Sequence, residues 1–230
     1  MDKIKLGVLV GGTSIEREVS KKSCENLLAN LDENKYEITV YHLPADGNTE
    51  WAKNIISNPP QIVLSALHGG NGENGSIQGF LHCLNIPYIG SKVLSSAICM
   101  NKAMAKTVMK ANHIQVPDHV FVMRGVDFSQ YEESIKLMGF PLIVKPNRGG
   151  SSIGVIVARN MEDIHYGIKN IIETYDDDVL IEKFIDGKEI NCCVLQGENG
   201  PEAMAVLDVK KAGSVFVYDD KYHIDEYSSD

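Results

Sequence analysis

The sequence predicts an α/β chain with an open, mostly parallel sheet at its N-terminus and α+β subdomains after it. Three observations carry this. Apolar strand runs alternate with helical periods over residues 1 to about 92. Glycine-rich breaks fall at the carboxyl ends of those strands, where open sheets gather ligands. Past about residue 92 the alternation gives way to strands joined by short turns. A chain of 230 residues has room for one large domain or two small ones with real cores.

Residues 4–10 are nearly all apolar, as in a strand buried on both faces. Gly11 and Gly12 break this run. From Ser14 onward Ile15, Val19, Cys24, Leu27, Leu28 and Leu31 share one helical face. Residues 36–43 and 62–67 read as strands, the second ending at His68 and the loop "HGGNGENG". A short helix is expected at 76–84 and a fourth short strand in "IPYIG" at 86–90. Ser91 stands where it would cap a helix running to about Ala111. Beyond it the pattern predicts a strand at 120–123, a helix at 131–138 and strands at 141–145 and 153–158. Asn160 opens a helix to about Thr174, with Asp163 in the capping-box position. Residues 179–185 predict a strand that turns at Asp186 and Gly187 into a partner at 190–195. "QGENG" turns again before a last strand at 203–209. These changes of texture divide the chain into 1–94, 95–181 and 182–230.

Composition narrows the function. Hydrophobic residues are 43% and charged residues 23%, which describes a soluble globular protein and not a disordered one. A net charge of −9 makes non-specific nucleic-acid binding a poor expectation. No apolar run approaches the length of a membrane span, and "MDKIKLGVLVGG" reads as a first strand, not a targeting segment. The five cysteines are scattered, with no C-x-x-C, as expected of reduced thiols in a cytoplasmic protein.

Four stretches carry chemistry. In "LVGGTSIEREVS" a strand, a glycine turn and a helix N-terminus together form an anion or ligand site. Glu16 there reads either as the third residue of a capping box begun at Thr13, or as a carboxylate facing the ligand crevice. In "ALHGGNGENG" His68 ends a strand inside a glycine-rich loop, a ligand position or an ordinary flexible loop. The stretch "VKPNRGGSSIG" fits neither the P-loop pattern nor the dinucleotide pattern. Its Lys145 ends a strand and Pro146 sets an extended exit. Gly149 and Gly150 can then fold backbone N–H groups over phosphate oxygens. A solvated lysine is the plain alternative. Further on, "VLIEKFIDGKEI" offers Glu182 as an acceptor, backbone groups at 183–185 for an adenine edge, and Glu189 for a ribose. A surface hairpin of alternating charges is the alternative, and the pattern alone favours it.

Together these stretches resemble the D-alanine–D-alanine ligases, ATP-grasp enzymes of peptidoglycan synthesis. "GGTSIEREVS", "ALHGGNGENGSIQG", "IPYIGS", "KA", "IVKPNRGGSSIG", "LIEKFIDGKEI" and "YDDKY" stand in the family's order and at about its spacing, across essentially all 230 residues. The resemblance implies a Rossmann-like pre-ATP-grasp domain, then a central lid subdomain, then the start of an ATP-grasp C-terminal subdomain. It implies that ATP and Mg²⁺ (or Mn²⁺) activate the carboxylate of one D-alanine for attack by the amine of a second. The enzyme would be cytoplasmic and a homodimer.

By the same resemblance, Glu16 holds the ammonium of the first D-alanine and His68 lies near its carboxylate. Ser151 and Tyr222 join Glu16 in a set that closes the loop. Lys102 and Lys145 meet the nucleotide phosphates, with Gly150, Ser151 and Ser152 in the lid and Lys221 nearby. Glu182, Lys183, Ile185 and Glu189 take the adenine and ribose positions. Asn101, Gly149 and Asn74 stand where the family usually or often has Asp, Glu and Asp. The family's metal-binding and oxyanion residues belong to a segment past Asp230, so the resemblance assigns no metal ligand within this chain. A chain ending there is expected not to ligate at a family-like rate. A D-serine or D-lactate ligase is the near alternative, with Tyr222 arguing against D-lactate. A non-catalytic nucleotide-binding fragment is the distant one.

Overall fold

An apolar strand between two parallel partners organises the N-terminal part. The computed structural model describes residues 2–209. The chain divides into two units, Met1–Ile114 and Gln115–Asp230. In the first unit β1 (Ile4–Gly11) is followed by α1 (Arg17–Asn30), β2 (Tyr36–Leu43), α2 (Glu50–Ser57) and β3 (Ile62–Ser65). The sheet order is β2-β1-β3 and every pairing is parallel. β1 is central, so both its faces are covered. Leu6, Val8 and Val10 pack with Cys24 and Ala66, against the Leu27 and Leu28 side of α1. Leu9, on the other face, packs with Ile55, Val63, Leu67, Ile77 and Leu81. Burial pushes the Cys24 thiol up from its ordinary value, which leaves it inert.

Four short helices complete this unit: α3 (Gly70–Glu73), α4 (Ser76–Cys83), α5 (Val93–Met100) and α6 (Lys102–Ala111). Several of these differ from expectation. The sequence reading passes over α2, whose eight residues offer Trp51 and Ile55 to the core, too few to show a helical period. The strand expected at 86–90 is a single parallel bridge from Val63 to Tyr88. The single helix expected from Ser91 is two helices, and Lys92, not Ser91, precedes the first. The second has its own cap, because Asn101 Oδ1 accepts from the Met104 N–H at 3.0 Å. Aspartate caps a helix as well as asparagine does, so this local function survives the departure at Asn101. Asn101→Ala is expected to cost about 1 kcal/mol, seen as a lower unfolding midpoint, while Asn101→Asp leaves the midpoint in place. Equal loss in both variants would show that the cap is not what matters.

The second unit contains β4 (His119–Val122), a 3-10 turn at Phe128–Tyr131, α7 (Glu132–Met138), β5 (Leu142–Pro146) and β6 (Ile156–Ala158). After these come α8 (Met161–Tyr175), β7 (Val179–Lys183), β8 (Glu189–Gly197) and β9 (Gly200–Val209). A four-stranded antiparallel sheet in the order β4-β7-β5-β6 packs one face on α7 and α8 through Ile135, Val144, Ile164, Ile171 and Ile181. The cap of α8 is as expected. Asn160 Oδ1 accepts from the Asp163 N–H at 2.9 Å, and Asp163 Oδ2 accepts from the Arg159 N–H at 2.7 Å.

β6 is shorter than the strand expected from residue 153. The hairpin expected across Asp186 and Gly187 does not form. β7 already gives one edge to β4 and the other to β5, and a strand has only two edges to pair. β8 pairs with β9 instead, turning at Glu198 and Asn199. Among the described residues no helix is long and apolar enough to cross a membrane.

Candidate active site

In the first unit the strand ends converge, as they do in open parallel sheets. Gly11 takes φ 95°, and a Cβ there would lie 2.5 Å from the Leu43 carbonyl oxygen, so only glycine allows the two strand ends to lie so close. The next turn is tied by Ser14, whose carbonyl accepts from the Arg17 N–H and whose Oγ accepts from the Glu16 N–H, both at 3.1 Å. This turn delays α1 until Arg17. Glu16 therefore stands just before the helix and makes no side-chain cap bond, which corrects the capping-box reading. Glu16 is 5% exposed, and its carboxylate lies against Gly69.

His68, next to Gly69, is half-buried. Its Nε2 lies 2.8 Å from Ser23 Oγ, and its Nδ1 lies 3.8 Å from Glu73 Oε1. With Gly12, Ser14, Trp51, Leu67 and Gly69, the histidine lines a cavity of about 150 Å³. Glu16 does not line this cavity but sits against one of its wall residues. Lys102 belongs to this unit too, opening α6.

In the second unit Lys145 on β5 lies opposite Leu180, and Glu182 on β7 lies opposite Ile143. The two-residue offset puts both side chains on one face of the sheet, where Lys145 Nζ donates to Glu182 Oε1. Both are largely buried, at 19% and 10% exposed. The solvated lysine of the plain reading is thus an ion pair, and the surface hairpin is a central buried strand. Lys183 turns its side chain to the end of α7, donating to the Met138 and Gly139 carbonyls at 2.9 Å each. Its backbone N–H donates to Asp118 O at 2.9 Å. Ile185 is exposed and makes no hydrogen bond among the described residues. Glu189 opens β8, exposed and opposite Val209.

After β5 the glycine-serine loop adopts an unusual path. Ser151 and Ser152 take φ 49° and 58°, a region that costs L-residues about 1–2 kcal/mol each. Ile153 N–H donates to Gly150 O at 3.1 Å. Lys221 and Tyr222, expected near the loop, lie outside the described residues.

The sequence reading passes over Asp176, Asp177 and Asp178, which look like the polar end of a helix. Asp177 and Asp178 are buried. Asp177 Oδ2 accepts from the Arg148 N–H at 2.5 Å and its Oδ1 from the Asp178 N–H at 2.8 Å. Asp178 Oδ1 accepts from the Arg124 N–H at 3.1 Å and its Oδ2 from Arg148 Nη2 at 2.9 Å. Arg124 also donates to Asp176, a bond that raises the guanidinium above its ordinary pKa. A usable signal existed. Acids directly before the buried run 179–181 need donors, and Arg124 and Arg148 each come just after a predicted strand.

Two family models match the chain: D-ala D-ala ligase N-terminus over residues 49–91 and D-ala D-ala ligase C-terminus over residues 108–229. The chain belongs to the D-alanine–D-alanine ligase family. A D-alanine–D-alanine ligase of Bacillus anthracis is 39% identical over 220 residues, which are 95% of this chain and 68% of that protein. Among solved structures, a D-alanine–D-alanine ligase from Bacillus anthracis complexed with ATP aligns with a TM-score of 0.78 at 34% identity, over 91% of this chain and 67% of its own. The VanG D-Ala:D-Ser ligase from Enterococcus faecalis aligns with a TM-score of 0.79 at 27% identity, over 96% and 74%. The ligase family thus accounts for both units, including the parallel and antiparallel sheets.

Proposed function

We propose that this chain provides amino-acid and nucleotide sites of an ATP-dependent D-alanine–D-alanine ligase. In this reading ATP phosphorylates the carboxylate of the first D-alanine, and the amine of the second attacks the acyl phosphate. The observation that carries it is the Lys145–Glu182 pair at the root of the glycine-serine loop, a cation and an acceptor on one sheet face. Lys145 and Lys102 serve the phosphates as point charges. Gly150, Ser151 and Ser152 supply loop N–H and hydroxyl donors. Glu182 accepts from the adenine amine, and Ile185 and the carbonyl of Lys183 meet the ring edge. Glu189 accepts from the ribose. In the first unit, Glu16 accepts from the ammonium of the first D-alanine, and His68 faces its carboxylate. In the same reading Tyr222 joins Glu16 and Ser151 in the set that closes the loop, and Lys221 serves the phosphates. A cytoplasmic homodimer goes with this reading.

Mg²⁺ would neutralise charge on the transferring phosphoryl group. The described residues contain no cluster of three or more His, Cys, Asp or Glu side chains able to hold it, and no step is assigned to it. D-serine as second substrate is the other reading, favoured by the alignment with the D-Ala:D-Ser ligase. Phosphate release that requires both ATP and D-alanine, compared with D-serine as acceptor and measured in a complete ligase carrying residues 1–230, tests the reaction and separates the two. ATP binding with no such release would leave a nucleotide-binding protein.

Glu16→Gln tests the amino-acid site. A charge-assisted hydrogen bond contributes about 1.5–3 kcal/mol, so in a complete ligase carrying residues 1–230 the KM for the first D-alanine should rise roughly tenfold or more. ATP affinity should not change. An unaltered KM for D-alanine would remove Glu16 from the site.

A further inference from the structure

The geometry points to Asp177 and Asp178 as positioning residues that clamp Asn147 and Arg148, so that the glycine-serine loop pivots from Gly149 onward. This rests on the ligase reading only for its effect on ATP. Three bonds form the clamp. Asn147 N–H donates to the Asp178 carbonyl at 2.9 Å, Arg148 N–H to Asp177 Oδ2 at 2.5 Å, and Arg148 Nη2 to Asp178 Oδ2 at 2.9 Å. They hold the two residues that separate Lys145-Pro146 from the loop. Beyond them Gly149 begins a segment whose Ser151 and Ser152 have left-handed backbone. At its far end Gly154, with φ 72°, packs where a Cβ would lie 2.9 Å from the Tyr175 ring and 3.0 Å from Pro146. The segment 149–153 is thus bounded by a clamp on one side and a packed glycine on the other.

The chemistry requires carboxylates, not merely polar side chains. Both oxygens of Asp177 accept N–H donors, and so do both oxygens of Asp178. An asparagine turns one of those acceptors into an NH₂ that faces another donor. Asp→Asn is therefore nearly isosteric yet breaks the clamp. The two residues act through Arg148 and Asn147 and are given no contact with substrate.

The test combines hydrogen exchange with ATP titration on the purified chain. In the unsubstituted protein the amides of Asn147 and Arg148 should exchange at least about tenfold more slowly than those of Gly150 and Ser152. Asp177→Asn should erase that difference at Arg148, whose N–H its Oδ2 accepts, and leave it at Asn147, whose N–H donates to a main-chain carbonyl. Asp178→Asn and Arg148→Ala should each raise the Kd for ATP about threefold to tenfold, and the double variant should be no worse than the more affected single. Arg148 is half-exposed, so its variant should fold even if an aspartate variant does not. Fast exchange at 147–148 in the unsubstituted chain would overturn the clamp. So would an unchanged Kd with a lowered unfolding midpoint, or single effects that multiply. Failure of the unsubstituted chain to bind ATP would count against the ligase reading instead, and the exchange measurement still decides the clamp.

Discussion

Lys145→Ala is expected to weaken ATP binding at least about tenfold and to destabilise the second unit by about 3 kcal/mol. The first effect is loss of a charge-assisted phosphate contact worth about 1.5–3 kcal/mol. The second arises because Lys145 is not the free strand-end lysine that its sequence position suggests. Its ammonium is paired with a buried Glu182 on the adjacent strand. Removing one partner of a buried pair leaves the other carrying charge without its counter-ion, at a cost of about 3–5 kcal/mol. The lower end applies because neither side chain is fully buried. Titration calorimetry reads the first effect and denaturant unfolding the second. Unchanged ATP affinity would end the phosphate role of Lys145, and an unchanged midpoint would show the ion pair to be structurally neutral. Replacing both residues by apolar ones of similar size should recover most of the stability and none of the ATP affinity.

Gly69→Ala should damage both the first unit and its hold on Glu16. Gly69 takes φ 62° and ψ 179°, which is essentially glycine-only backbone, and forcing another residue into such regions costs roughly 1–3 kcal/mol. The added Cβ would also overlap Glu16 Oε2 and lie 2.7 Å from Ser14 Oγ. One of these must move, and Glu16 is buried with little room to do so. The expected loss is roughly 3 kcal/mol or more in stability, together with loss of D-alanine use. Gly47→Ala is the control: φ is 76° but nothing lies within 4 Å of its Cβ position. It should show backbone strain alone, about 1–2 kcal/mol. Equal losses in the two variants would mean that Gly69 does not hold Glu16 in place.

Much of this protein is legible in the order of its residues alone. β1 can be read because a central parallel strand needs apolar residues on both faces, and Leu6 to Val10 supply them. The cap of α8 can be read because Asn160 and Asp163 bond backbone within four residues of themselves. The turn after β1 can be read because Gly11 and Gly12 interrupt an apolar run, and both take a positive φ. Such features depend on near neighbours in the chain, so the sequence by itself determined them. It did not reveal α2 or the break at Asn101, where the helices are too short for a period to accumulate.

Only the tertiary structure decided the rest. Whether 179–183 pairs with the segment after it or with β4 and β5 is a question of sheet order, and nothing in its own residues answers it. That order brings Lys145 onto Glu182, 37 positions away, and Arg148 onto Asp177 and Asp178, 29 and 30 positions away. A charge reads as solvated until its partner is known, because burial and pairing belong to contacts between distant segments and leave no mark on the local pattern.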